Sequence, residues 1–234
     1  GLRLMKRRIV ITGLGVLTAI GQNPEEFWKA CLEAKSRVER IPEHWLYYGD
    51  FHSQIWSPLP AVDYSAYGIG RIGEKQLDPS SLIALACSFQ ALDSAGLAYT
   101  KADQKRNTYS IPSLDSERTG VFMGTGIAGL GTFASCYSYH LLMRQKEALA
   151  KASAQLGDHP AGAALKQIQD RMLYPRRFNP FAVSMTMPNA CSANVAIKFS
   201  LRGSNNAYCA ACASGTVAIG HGFKAVKSGE LDVA

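Results

Sequence analysis

Nowhere in this chain do about 18 uncharged apolar residues follow one another, so no membrane-crossing helix is expected. There is one C-x-x-C, at Cys209 and Cys212, but no second one and no H-x-x-x-H to complete a four-ligand zinc site around it. The six cysteines (31, 87, 136, 191, 209 and 212) lie in mostly apolar surroundings, without the spacing of a disulfide framework. A chain of 234 residues builds a core without such bridges, and a reducing, cytoplasmic compartment is expected. Internal repeats and low-complexity tracts are lacking too. The formal charge of +7 comes with no nucleic-acid motif and no basic run interleaved with aromatics. An acidic protein partner attracted at long range fits that excess as well as nucleic acid does, and neither nucleic acid nor membrane is expected as a partner. The opening "GLRLMKRRIVITGLG" is basic and then apolar, as a signal peptide is. Its apolar part is short, Gly13 and Gly15 interrupt it, and no small-residue cleavage site follows. Met5 is therefore read as the initiator.

What is present alternates between strand and helix. "RRIVITGLG" reads as a buried strand ending in a tight turn. "NPEEFWKACLEAK" has Asn23 as a cap, then proline, then two acids, which is a helix start. Residues 36–78 are rich in Pro, Gly, Tyr and Trp without a sustained period and read as an irregular cap region. Asp78 caps a second helix, with Pro79 in its first turn and Gly96 at its end. Residues 119–123 read as a strand running into the glycine-rich "GTGIAGLG". Residues 132–172 read as helical, broken at "GDHP". "NAYCAA" reads as another strand, "CASGTVAIGHGFKAVKSGE" as a helix, and "LDVA" as a strand just begun. Hairpin signals are lacking and the strands are apolar throughout. The pattern implies an α/β fold with a mostly parallel sheet and helices on both faces.

"NAYCAACASGTVAIGHG", residues 206–222, admits three readings. A redox pair places its first cysteine at a helix N-terminus. Here the helix starts near the second cysteine, so the pair straddles a corner. A zinc site needs ligands that the chain does not supply. His221 lies nine residues beyond Cys212, on the opposite face of the helix and roughly 13 Å along it. The third reading is a lone nucleophile: a strand, a sharp turn, and a reactive side chain at the first helical position. Helix N-terminal amides favour thiolate over thiol and can hold an oxyanion. The small neighbours Ala211, Ala213, Ser214 and Gly215 leave room for a substrate. The competing structural role for Cys212 is a small buried residue.

The segment resembles the nucleophile region of the β-ketoacyl-acyl-carrier-protein synthases, condensing enzymes of fatty acid and polyketide synthesis. Four further stretches agree in order: "MKRRIVITGLGVLTAIG", "LIALACSFQALDSAGL", "GVFMGTGIAGLG" and "NPFAVSMTMPNACSANVAIKFSLRG". The resemblance implies a thiolase-like fold, five-layered α-β-α-β-α in full, of which residues 1–234 correspond to the N-terminal half. The C-terminal half would then be a second chain or a separate segment. Carried over by position, Cys212 is the acyl-accepting nucleophile and Cys209 a structural residue of the preceding strand. Ile127 and Ala182 line the acyl pocket, and Val183 adjoins the dimer contact. Relatives often carry a bulky aromatic at the position of Ala182, so alanine implies a wider pocket. Arg176 and Arg177 match a basic pair that faces the acidic carrier protein. Two stretches look inserted, one near 140–170 and a smaller one at "KRNTYSIPSLDS".

The implied activity is decarboxylative Claisen condensation of an acyl thioester with malonyl-acyl-carrier protein, by a homodimer, with no metal and no organic cofactor. The family's catalytic histidines and lysine come from its second half, and His44, His52, His140 and His159 stand in no matching context. The 234 residues alone are therefore expected to be incompetent for condensation. Two alternatives stay open. One is a non-condensing partner or scaffold subunit, against which Cys212 argues; the other is a thiolase-type enzyme using coenzyme A thioesters.

Overall fold

A computed structural model describes residues 7–172 and 179–234. The sheet nucleus is a parallel pair, β5 (Val121–Gly124) beside β6 (Asn205–Tyr208), in register from Val121 opposite Asn205 to Gly124 opposite Tyr208. Thr119 forms a further parallel bridge to Val233, so "LDVA" lies along the other edge of β5. Arg118 holds that edge by a bidentate grip on Asp232, at 2.7 and 2.8 Å. The same grip, with Arg118 as first cause, holds the Asp232 carboxyl below its ordinary range.

Side chains alternate across a strand, and that alternation sorts the layers. Val121 joins a buried cluster with Phe89 of α3 (Pro79–Ser94) and Val195 of α7 (Ala190–Lys198). Phe122 faces the other way, against Gly222 of α8 (Ser214–Ser228), 3.6 Å from where a Cβ would stand there. Helices therefore cover both faces, as the alternating sequence implied. The cluster is aromatic at its centre. The Phe89 ring meets Phe199 at 4.7 Å, Tyr99 at 5.3 Å and Tyr109 at 5.4 Å, all edge to face.

Capping signals set the helix starts. Asn23 accepts from the Glu26 amide at 2.8 Å and opens α1 (Pro24–Leu32). Asp78 accepts from the Ser80 amide at 2.9 Å and opens α3. The irregular region holds only a two-residue hairpin, β1 (Glu39–Arg40) with β2 (Ile55–Trp56), two 3-10 segments, and the short α2 (Arg71–Gln76). Residues 132–172 form α4 (Leu130–Leu156) and α5 (Pro160–Arg171), separated at residues 157–159. The short α6 (Ala182–Thr186) precedes α7.

Two expectations fail. "RRIVITGLG" forms no strand ladder within the described residues. It lies along α3 instead, so closely that a Cβ at Gly15 would sit 1.9 Å from the Cys87 carbonyl oxygen. Val10 and Ile11 are left exposed. The sequence also holds a hairpin, β3 (Thr100–Asp103) antiparallel to β4 (Thr108–Ser110). It turns without glycine: Asp103 accepts from the Lys105 and Arg106 amides, and Asn107 takes a positive φ of 55°. None of the described helices is long and apolar enough to cross a membrane.

Candidate active site

Two loops leave the carboxyl ends of β5 and β6, where open α/β sheets place their ligands. The β6 loop carries the cysteines. Its strand ends at Tyr208, so Cys209 stands beyond the ladder and is exposed, where the sequence reading put it inside the strand as a structural residue. The chain then reverses sharply. Ala211 adopts φ +47°, in the left-handed region costly for a residue with a Cβ. One 3-10 turn follows, Ala211–Ala213, and α8 begins at Ser214. Cys212 therefore sits at the middle of that turn, exposed, two residues before the helix where first helical position was expected. The displacement follows from the strained Ala211, which absorbs the corner before α8 winds.

Ser214, almost fully buried, braces this corner. Its Oγ accepts from the Ala210 amide at 2.8 Å. The Ala211 carbonyl at 2.7 Å and the Thr125 carbonyl at 3.2 Å are its alternative acceptors. One hydroxyl thus ties the cysteine turn to itself and to the β5 loop. The two loops also meet where the Thr125 amide donates to the Tyr208 carbonyl at 3.0 Å. Gly124 permits the approach, since a Cβ there would lie 2.3 Å from the Ser214 carbonyl. No side chain caps the N-terminus of α8. The sequence reading counted Ser214 only as a small neighbour. A hydroxyl two residues after the cysteine, at a strand-to-helix corner, was the signal available.

The β5 loop brings Ile127 within two residues of that junction. Ile127 lines a cavity of about 900 Å³ between α2, the start of α4, and residues 179–181. Ala182 and Val183 follow directly on α6. Ala182 is buried, whereas Val183 is 77% exposed on the outer side. Arg176 and Arg177 lie outside the described residues. His221 stacks on the Tyr208 ring at 4.5 Å, and His159 caps α5 by accepting from the Ala161 amide, so each has a structural task. The six cysteines are free, and no cluster of potential metal ligands occurs among the described residues.

The family model of the β-ketoacyl synthase N-terminal domain matches residues 6–234. Among curated proteins, 3-oxoacyl-[acyl-carrier-protein] synthase 2 of Vibrio harveyi is 28% identical over 229 residues, which is 98% of this chain and 44% of that protein. Its namesake in Staphylococcus aureus (strain COL) is 27% identical, covering 97% of this chain and 44% of that protein. The chain thus spans less than half the length of these relatives. Among solved structures, a β-ketoacyl synthase from Burkholderia phymatum STM815 superposes with a TM-score of 0.63 at 23% identity, over 97% of this chain and 45% of that one. The ishigamide ketosynthase/chain length factor gives 0.68 at 18%, over 97% and 46%. The ketosynthase of a type II polyketide synthase, solved in complex with its acyl-carrier protein, gives 0.59 at 15%, over 95% and 47%. These likenesses carry the fold, that of the thiolase-like ketosynthases.

Proposed function

The chain belongs to the β-ketoacyl synthase family, as its N-terminal domain, and from that premise we propose that it carries the acyl-accepting centre of a 3-oxoacyl-acyl-carrier-protein synthase. In this reading the Cys212 sulfur attacks the carbonyl of an acyl thioester. A carbon–sulfur bond forms to Cys212, the bond to the carrier sulfur breaks, and the carrier leaves as its thiol. Amides at the uncapped start of α8 supply donors for the oxyanion of the tetrahedral intermediate. A malonyl carrier then loses carbon dioxide, and its enolate attacks the acyl carbon and releases Cys212. The observation that carries the reading is the corner itself: an exposed thiol on a strained turn, at the carboxyl end of a parallel pair and braced by one buried hydroxyl.

The partners follow from the same reading. An acidic acyl-carrier protein docks with help from Arg176 and Arg177, consistent with the excess positive charge. Among the described residues β6 has a strand partner on one edge only, which supports a homodimer formed across the other. Ile127 and Ala182 contribute to the acyl pocket, and the exposed Val183 adjoins the dimer contact. Condensation needs donors for the malonyl thioester carbonyl as well. With His159 and His221 already occupied structurally, the 234 residues by themselves are proposed to load acyl groups but not to condense them.

Sub-stoichiometric iodoacetamide followed by peptide mapping checks the nucleophile: Cys212 is expected to label first of the six thiols. Acyl-carrier thioester and acyl-coenzyme A are then compared as donors at low and moderate salt. Faster loading from the carrier, weakened by salt, is expected. Preferential labelling of another thiol, or equal loading from both donors, would overturn the corresponding part.

A further inference from the structure

The cavity beside Ile127 has both apolar and polar lining. Ile72, Leu130 and Phe181 line it together with Asp78 and Thr132. Asp78 is 5% exposed, and the cap of α3 does not use all of its carboxylate. Oδ1 accepts from the Ser80 amide at 2.9 Å and the Ser80 hydroxyl at 2.6 Å, which fills it. Among the described residues, Oδ2 accepts only from the Thr132 hydroxyl, at 2.8 Å. A carboxylate offers about four acceptor sites, so one remains on Oδ2, and the Thr132 oxygen keeps lone pairs of its own. Asp78 and Thr132 both line the cavity. A saturated hydrocarbon chain there would strip water from that open site and return nothing for it. A chain bearing a hydroxyl would donate its one proton to that site on Oδ2.

We propose that this cavity selects acyl chains that carry a hydroxyl group, with Asp78 Oδ2 as the acceptor for its proton and Thr132, which donates to the same oxygen, as the residue that positions it. The inference rests on the reading of Cys212 as the acylated residue. The β5 loop joins the two places. Ile127, on the cavity wall, stands two residues from Thr125, whose amide and carbonyl meet the cysteine corner. Asp78 and Thr132 are specificity determinants in this account and take no part in bond-making. The cavity, at about 900 Å³, is large for a short straight chain, which fits a substituted one.

The test uses the full chain and single-turnover acylation of Cys212, followed by intact mass. The probes are acetyl, decanoyl, mid-chain hydroxydecanoyl and ω-hydroxydecanoyl thioesters of pantetheine. At least one hydroxylated probe is expected to load about tenfold or more faster than decanoyl. Thr132→Val and Asp78→Asn, the latter keeping a good helix cap, are expected to collapse that ratio towards one. Decanoyl loading as fast as both hydroxylated probes in the unaltered protein overturns the proposal. So does a ratio that survives both substitutions. Failure of all four probes to reach Cys212 overturns the acyl-enzyme reading instead, so the two failures are told apart.

Discussion

The corner at Cys212 and the aromatic cluster behind it are built by opposite means. The cluster around Phe89 is held by side-chain volume, with the Phe89 ring meeting three others edge to face and helices closing over them. The corner has almost no side-chain volume. Ala210, Ala211, Ala213 and Gly215 surround the thiol, and the shape is kept by backbone hydrogen bonds and one buried serine. The difference separates two duties of a fold. Bulk supplies stability where nothing has to enter. Small residues with fixed backbone leave space where the proposed function needs a substrate to approach, and the strain at Ala211 is tolerated because the packed sheet behind it over-determines the turn.

Substitutions at the two places should separate stability from chemistry. The largest effect is expected from Cys212→Ser: acyl loading falls to background, while unfolding free energy stays within about 0.5 kcal/mol because the thiol packs against little. Loading measured by intact mass and urea unfolding check the two halves of that statement. Phe89→Ala should do the reverse. It empties the middle of the cluster and costs about 3–5 kcal/mol, while iodoacetamide labelling of Cys212 in the fraction still folded keeps its rate. Equal losses of stability from both substitutions would break the comparison. Ser214→Ala sits between them. It removes a buried hydroxyl, leaves the Ala210 amide without an acceptor, and should cost about 1–3 kcal/mol. Acyl loading should also slow by about tenfold as the turn loosens.

Periodicity and caps were enough for most of this architecture. Asn23 and Asp78 each announced a helix that forms where they placed it, and the break at "GDHP" separates α4 from α5. The failures have physical causes. "RRIVITGLG" has the composition of a buried strand, but composition cannot say whether a neighbouring strand stands beside it, and here the segment lies along α3 instead. The β3–β4 hairpin turns on Asp103 and Asn107, polar residues whose local hydrogen bonds replace the glycine that a pattern search relies on. At the site, spacing identified the corner and its cysteine. It could not show that the corner falls on a positive-φ alanine, nor that Ser214 spans two loops 89 residues apart. Long-range contacts of that kind leave no local period. Asp78 is a related case: its cap role was plain in the sequence, whereas its place on a cavity wall depends on α4 returning to meet it through Thr132.

The smallest effect predicted sharpens the comparison from inside the cluster. Lys198 ends α7 with its side chain among the rings, 5.3 Å from the Tyr109 centroid and 5.9 Å from that of Phe89. The residue is 8% exposed, and no carboxylate pairs with it among the described residues. Burial, with repulsion from Lys101 second, pushes its pKa down from 10.5 to about 8. Ring attraction at these distances is worth about 0.5–1 kcal/mol per contact, near the outer limit of its range, and does not offset that burial. Below pH 8 the ammonium is charged in both the folded and unfolded states, and folding carries the full cost of burying it. Between pH 8 and 10.5 the unfolded chain keeps the proton and the folded chain releases it, so this group makes stability rise with pH. Lys198→Met keeps the apolar stem and removes the charge. The variant is expected to be more stable than the unaltered protein at pH 7 by about 1–2 kcal/mol, after allowing for partial solvation of the ammonium. The gap should close as pH rises from 8 towards 10. The comparison must stop near there, because the Tyr99 hydroxyl, pushed up to about 12 chiefly by burial, begins to cost stability above pH 10. Urea unfolding of both proteins at pH 7, 8, 9 and 10 reads the difference directly. A variant less stable at pH 7, or a gap that does not change with pH, would mean that the rings hold the charged lysine and that the cluster depends on a cation as well as on bulk.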